Sequence, residues 1–167
     1  MDLLPGDVLL TRNTDGAGNP NPGHWNHSAI VSPIDYMIEA QTNMGVIAVP
    51  TQFFLRRYPE ILQLRPHNDI RQAMAQRAVS FVGREYKILA SWTPYHSNGD
   101  NCVSVVRKAY EHSVDIWVPW RRPDHILYSG KFSIISQKQS QEGWIDPIDP
   151  YKGALKVFPS IKINQPE

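Results

Sequence analysis

The chain has 167 residues, 41% of them apolar and 20% charged, with a net charge of +1. That length supports one hydrophobic core, and the reading is a single domain over 1–167. The even charge balance argues against nucleic acid as a partner, since that would need a basic surplus or stripe. No segment approaches the ~18 apolar residues of a membrane span, and one cysteine cannot form an internal disulfide. The first residues, Met1 to Asp7, carry no basic stretch and no long apolar run. The expected location is therefore cytoplasmic.

Pro5-Gly6 reads as a turn, and Asp7 to Thr11 as a strand. Residues 13–23 form a polar Asn/Pro/Gly loop suited to a mobile rim. His27 to Val31, Met37 to Ala40 and Gly45 to Val49 read as further strands, the last stopping at Pro50, and Thr51 to Leu55 as a short helical turn. Glu60 to Arg65 is a fifth strand. Asp69 is read as the cap of a helix running to about Val82, with Ile70, Met74, Ala78, Phe81 and Val82 on its buried side and Gly83 ending it. Residues 87–100 form a connection carrying Trp92 and Tyr95. A helix from Cys102 to about His112 follows, capped by Asp100 or Asn101. A short helix opens at Arg122-Pro123-Asp124, and Phe132 to Ile135 is a strand. The tail from about Gln137 is left unassigned, with edge strands possible at 154–157 and 161–163. Strands first and helices after them indicate an α+β layered domain.

Cys102 carries the chemical interest. A thiol in the first turn of a helix meets unpaired backbone N–H groups and the positive end of the helix dipole, and both favour the thiolate. A thiolate nucleophile needs a nearby base, and that base needs a third group to fix its tautomer. His27 shares a strand face with Ala29 and Val31, and Glu39 shares one with Met37. If these strands form a hairpin, a three-residue loop puts Glu39 opposite His27. A five-residue loop puts Glu39 opposite Ala29, diagonal to His27, and an even-numbered loop separates the pair onto opposite faces. The spacing thus permits a His27–Glu39 contact without requiring one. His24, His27 and Cys102 could also be read as zinc ligands, but no second pair at metal-ligand spacing accompanies them. No metal and no cofactor is expected.

Six short motifs occur in order: Gly6-Asp7-Val8-Leu9-Leu10; Asn26-His27-Ser28-Ala29-Ile30-Val31; Ile38-Glu39-Ala40; Gly45-Val46-Ile47 with Pro50 and Phe53-Phe54; Val82-Gly83-Arg84-Glu85-Tyr86; and Asn101-Cys102-Val103. Over roughly residues 5–135 the chain resembles the YiiX-like branch of the NlpC-type cysteine peptidases, which are circularly permuted papain-like proteins related to the lecithin retinol acyltransferases. The resemblance implies an antiparallel sheet or barrel packed on helices, with the histidine strand before the cysteine helix. It implies Cys102 as nucleophile, His27 as base, Glu39 as the polar third member and Tyr86 as a pocket residue. Trp25 and Trp92, in the segments 13–25 and 87–100 that run into the proposed catalytic residues, are read as cleft walls that bind substrate. The expected function is a thiol hydrolase acting on an amide in a small peptide or cell-wall-type peptide. Two alternatives stay open: acyl hydrolysis or transfer on lipids, and a non-catalytic binding module that kept the cleft.

Overall fold

The computed structural model describes residues 1–12, 23–92 and 99–139. Six strands form one antiparallel sheet: β1 (Val8–Arg12), β2 (His27–Val31), β3 (Tyr36–Gln41), β4 (Gly45–Pro50), β5 (Glu60–Pro66) and β6 (Phe132–Gln139). Their order is β4-β3-β2-β1-β5-β6. The helices are α1 (Thr51–Arg57), α2 (Arg71–Ser80), α3 (Cys102–Val114) and α4 (Pro123–Leu127), with a 3₁₀ turn at Ile88–Trp92.

The alternation of side chains along each strand sorts the apolar residues onto two faces. Val8, Leu10, Ile30, Ile38, Val46, Ala48, Leu62 and Leu64 pack in one core with Met74 and Ala78 of α2 and Val103, Val106 and Tyr110 of α3. Leu9, Ala29, Val31, Met37, Ile47, Val49 and Ile61 pack on the other face with Phe54 and Tyr58. Because both faces are covered, the strands read as continuous apolar runs rather than as alternating ones.

Most boundaries differ from the sequence reading by one or two residues, and three of them show what decides them. Helix α2 starts at Arg71 behind Ile70, with no side-chain cap, so Asp69 does not cap it. Tertiary packing fixes that start: a Cβ on Gly6 would meet the Arg71 carbonyl at 2.2 Å, and the Arg71 side chain donates to the Pro5 carbonyl. The helix ends at Ser80, two residues before Val82, because the chain tightens into i→i+3 bonds at Phe81 and Val82. Strand β6 continues past Ile135 to Gln139, so residues 137–139 of the supposed tail belong to the sheet. The polar stretch Ser136 to Gln139 has no apolar pattern; pairing with β5 is what makes it a strand. The polar loop up to Pro22, Tyr95, and the segments at 154–157 and 161–163 lie outside the described residues.

Candidate active site

Helix α3 begins at a tightly built cap. The Asn101 side chain accepts from the backbone N–H groups of Val103 (3.1 Å) and Ser104 (2.8 Å), and the Ser104 hydroxyl accepts from the Asn101 N–H at 2.8 Å. This reciprocal capping box explains why the helix starts at Cys102. Asn101 also ties the helix to the 3₁₀ turn: its Oδ1 accepts from Ser91 Oγ at 2.9 Å, and its Nδ2 donates to the Ile88 carbonyl at 3.0 Å. Asp100 is fully buried and pairs with Lys108 (3.1 Å) and Arg84 (3.0 Å). Burial pushes the Lys108 ammonium below its ordinary range, against the pull of Asp100. From the sheet, Ser28 Oγ donates to the Cys102 carbonyl at 2.7 Å.

The β2–β3 turn takes the five-residue form. Val31 pairs with Met37 and Ile30 with Ile38, so in register Glu39 stands opposite Ala29. Ser32 closes the loop: its N–H donates to the Tyr36 carbonyl, and its hydroxyl accepts from the N–H groups of Ile34 and Tyr36. Asp35 takes a left-handed conformation with φ 57°. The diagonal placement brings Glu39 Oε1 to 3.2 Å from His27 Nε2, with Glu39 fully buried and His27 8% exposed. The His27 ring also shares a hydrogen bond with the Cys102 side chain. Since Glu39 occupies Nε2, Nδ1 is the nitrogen left for the thiol.

The surroundings of His27 favour its charged form. Burial alone would lower its pKa. The stacked Tyr58 ring, the Cys102 side chain and the Glu39 carboxylate together outweigh burial and hold it well above 6.5. Gln41 Nε2 donates to Glu39 Oε1 and lies 3.4 Å from the Tyr58 hydroxyl, so the carboxylate is itself oriented. Tyr58 stacks on His27 with ring centroids 5.5 Å apart. Tyr86, half-buried and hydrogen-bonded to Thr42, has its phenol pushed up by burial and by the nearby Cys102 charge, which keeps it a protonated donor.

A cleft of about 560 Å³ opens over Cys102. Tyr86, Asn101, Ser91 and the apolar Ile88, Leu89 and Trp92 line one part of it, and Arg121, Arg122 and His125 another. Trp92, 66% exposed, thus stands where the sequence put it, in the wall. Trp25 does not. It is 6% exposed within the main core, its backbone N–H donating to Asp124, because an aromatic next to the strand is more stable buried than bordering solvent. His24 turns to Glu60 at 2.6 Å, and among the described residues no group of His, Cys, Asp and Glu could hold a metal. No helix among them is long and apolar enough to cross a membrane.

Sequence reasoning missed Gln41, Tyr58 and the Arg121–His125 wall. Gln41 carried a signal, being two residues after Glu39 and so on its face. The other residues are brought to the site by tertiary packing alone.

No curated protein and no solved structure matches the chain. A family model does, over residues 2–146, and it describes a permuted papain-like amidase enzyme, YaeF/YiiX, C92 family. With its histidine strand ahead of its cysteine helix, the chain belongs to that family of cysteine-peptidase-type amidases.

Proposed function

We propose that Cys102, His27 and Glu39 form a catalytic triad that hydrolyses an amide in a small peptide or acyl-amide. The observation that carries this reading is the His27 ring, bonded on one side to Cys102, which lines a cleft, and on the other to Glu39. The raised His27 pKa favours an imidazolium beside the sulfur, and the α3 N-terminus favours a thiolate there. The thiolate adds to the amide carbon, and the backbone N–H of Cys102 supports the developing oxyanion. The C–N bond breaks as His27 gives its proton to the leaving amine, which leaves a thioester on Cys102. His27, now neutral, takes a proton from water. The hydroxide displaces the sulfur, releasing a carboxylic acid and restoring the starting pair. Glu39 holds the ring and its charge throughout.

The test uses a panel of peptide amides and N-acyl amides of a chromogenic amine. Amine release together with an acyl adduct on Cys102 by intact mass is the expected result, with both lost in Cys102→Ala. Release that continues unchanged in Cys102→Ala contradicts the mechanism.

A further inference from the structure

The cleft over Cys102 is asymmetric. Ile88, Leu89 and Trp92 give one wall that is apolar and 57%, 67% and 66% exposed. The other wall carries Arg121, Arg122 and His125, and among the described residues no acidic one lines the cleft. In a chain of net charge +1, two adjacent arginines facing one cleft are a local concentration of positive charge. Among the described residues neither arginine forms an ion pair with a carboxylate. Asp124, the nearest acid in sequence, accepts instead from the Trp25 backbone N–H at 3.2 Å.

Arg121 is preorganised. Its guanidinium lies 3.8 Å over the Trp92 ring, and its Nε is buried with no hydrogen-bond partner among the described residues. A guanidinium stacked in this way keeps its N–H groups in a fixed plane, the geometry that meets an oxyanion. His125 Nδ1 accepts from the Arg121 backbone N–H at 3.1 Å, so a neutral ring carries its proton on Nε2. Burial, then Arg122 and Arg121, outweigh Asp124 and hold His125 below 6.5, in that neutral form.

Taking Cys102 as the reacting centre, we propose that Arg121 and Arg122 bind an oxyanion group of the substrate, a carboxylate or a phosphoryl, beside the bond that is cleaved. The substrate class is then an anionic amide. The stacked arginine fixes the distance of the charge from the sulfur, and neutral analogues lose that anchor.

Iodoacetate and iodoacetamide test this without knowledge of the substrate. They alkylate the same sulfur and differ only in carrying a carboxylate or a carboxamide, and Cys102 is the only cysteine. The ratio of their rates cancels the thiolate fraction. Relative to N-acetylcysteine, the ratio should favour iodoacetate by about tenfold. Arg121→Gln and Arg122→Gln should each lower it, and together remove most of the preference. The His27 imidazolium also attracts the anion but is present in every variant, so only the arginine-dependent part counts. Arg122 is exposed, which makes Arg122→Gln informative even if Arg121→Gln, which loses the Trp92 stack, folds poorly. A ratio unchanged in Arg122→Gln and in the double variant overturns the proposal. Failure of the nucleophile reading would show differently, as an ordinary free-thiol pH profile with iodoacetamide. Protection of Cys102 from iodoacetamide by benzoylglycine but not phenyl phosphate identifies a carboxylate site, and the reverse a phosphoryl site. Protection by neither, or equally by neutral benzamide, overturns it.

Discussion

Asn101→Ala tests how the start of α3 is built. The substitution removes an acceptor shared by three donors, Val103 N–H, Ser104 N–H and Ser91 Oγ, and a donor to the Ile88 carbonyl. Loss of an N-cap costs about 1 kcal/mol. Leaving buried partners unsatisfied costs about 1–3 kcal/mol more, and Ser91 is buried. The sum is about 2–4 kcal/mol, which for a chain of this size lowers Tm by roughly 5–15 °C. Asn101→Asp keeps the cap acceptor and loses only the donor to Ile88, so it should cost about 1 kcal/mol. Urea unfolding of the three proteins measures the differences. Alkylation of Cys102 by iodoacetamide on the same samples reports whether the first turn has loosened. Asn101→Ala should show both a lower midpoint and a Cys102 rate closer to that of a free thiol. A cost below about 0.5 kcal/mol, the range of an ordinary surface change, would refute the reasoning that this cap organises the site.

Glu39→Gln removes a group that raises the His27 pKa, so the ring loses its proton at lower pH. The alkaline limb of the kcat/KM profile should move toward acid, and the rate should fall by about a hundredfold; a limb that stays in place would contradict the pairing. The same linkage applies to stability. In the wild type, the contribution of the His27–Glu39 pair is full below pH 6.5 and is lost as pH rises through the raised His27 value, so Glu39→Gln should be most destabilised on the acid side. Lys108→Met leaves the buried Asp100 with Arg84 as its remaining ion-pair partner, beside the Ser104 hydroxyl, and should cost about 3 kcal/mol in urea unfolding; a neutral result would mean that Arg84 and Ser104 suffice.

Much of the sheet was legible because its strands are short apolar runs punctuated by Pro and Gly. His27 to Val31 was read with the bounds it has. The α3 start was legible for a chemical reason: Asn101 is a strong capping residue directly before an apolar stripe. The hairpin illustrates the limit. Odd loop parity decides whether His27 and Glu39 share a face, but only Ser32, bonding Ile34 and Tyr36 from its side chain and Tyr36 from its backbone, selects five residues over three or four. Trp25 was misread because nearness in sequence to His27 says nothing about which way a ring points. The arginine wall left no trace, since residues 121–125 reach the cleft through packing around α3 and no local pattern encodes that approach. Asp100 was legible only as a capping candidate; its pairing with Lys108, further along α3, follows no local pattern.

The most direct measurement of the central claim is the pH dependence of iodoacetamide alkylation at the single cysteine, in the wild type and in His27→Ala. If Cys102 and His27 work as an ion pair, the wild type should alkylate with an apparent pKa well below the ~8.5 of a free thiol, and His27→Ala should return the profile to that value. A wild-type profile already centred near the free-thiol value, and unchanged by His27→Ala, would contradict the account.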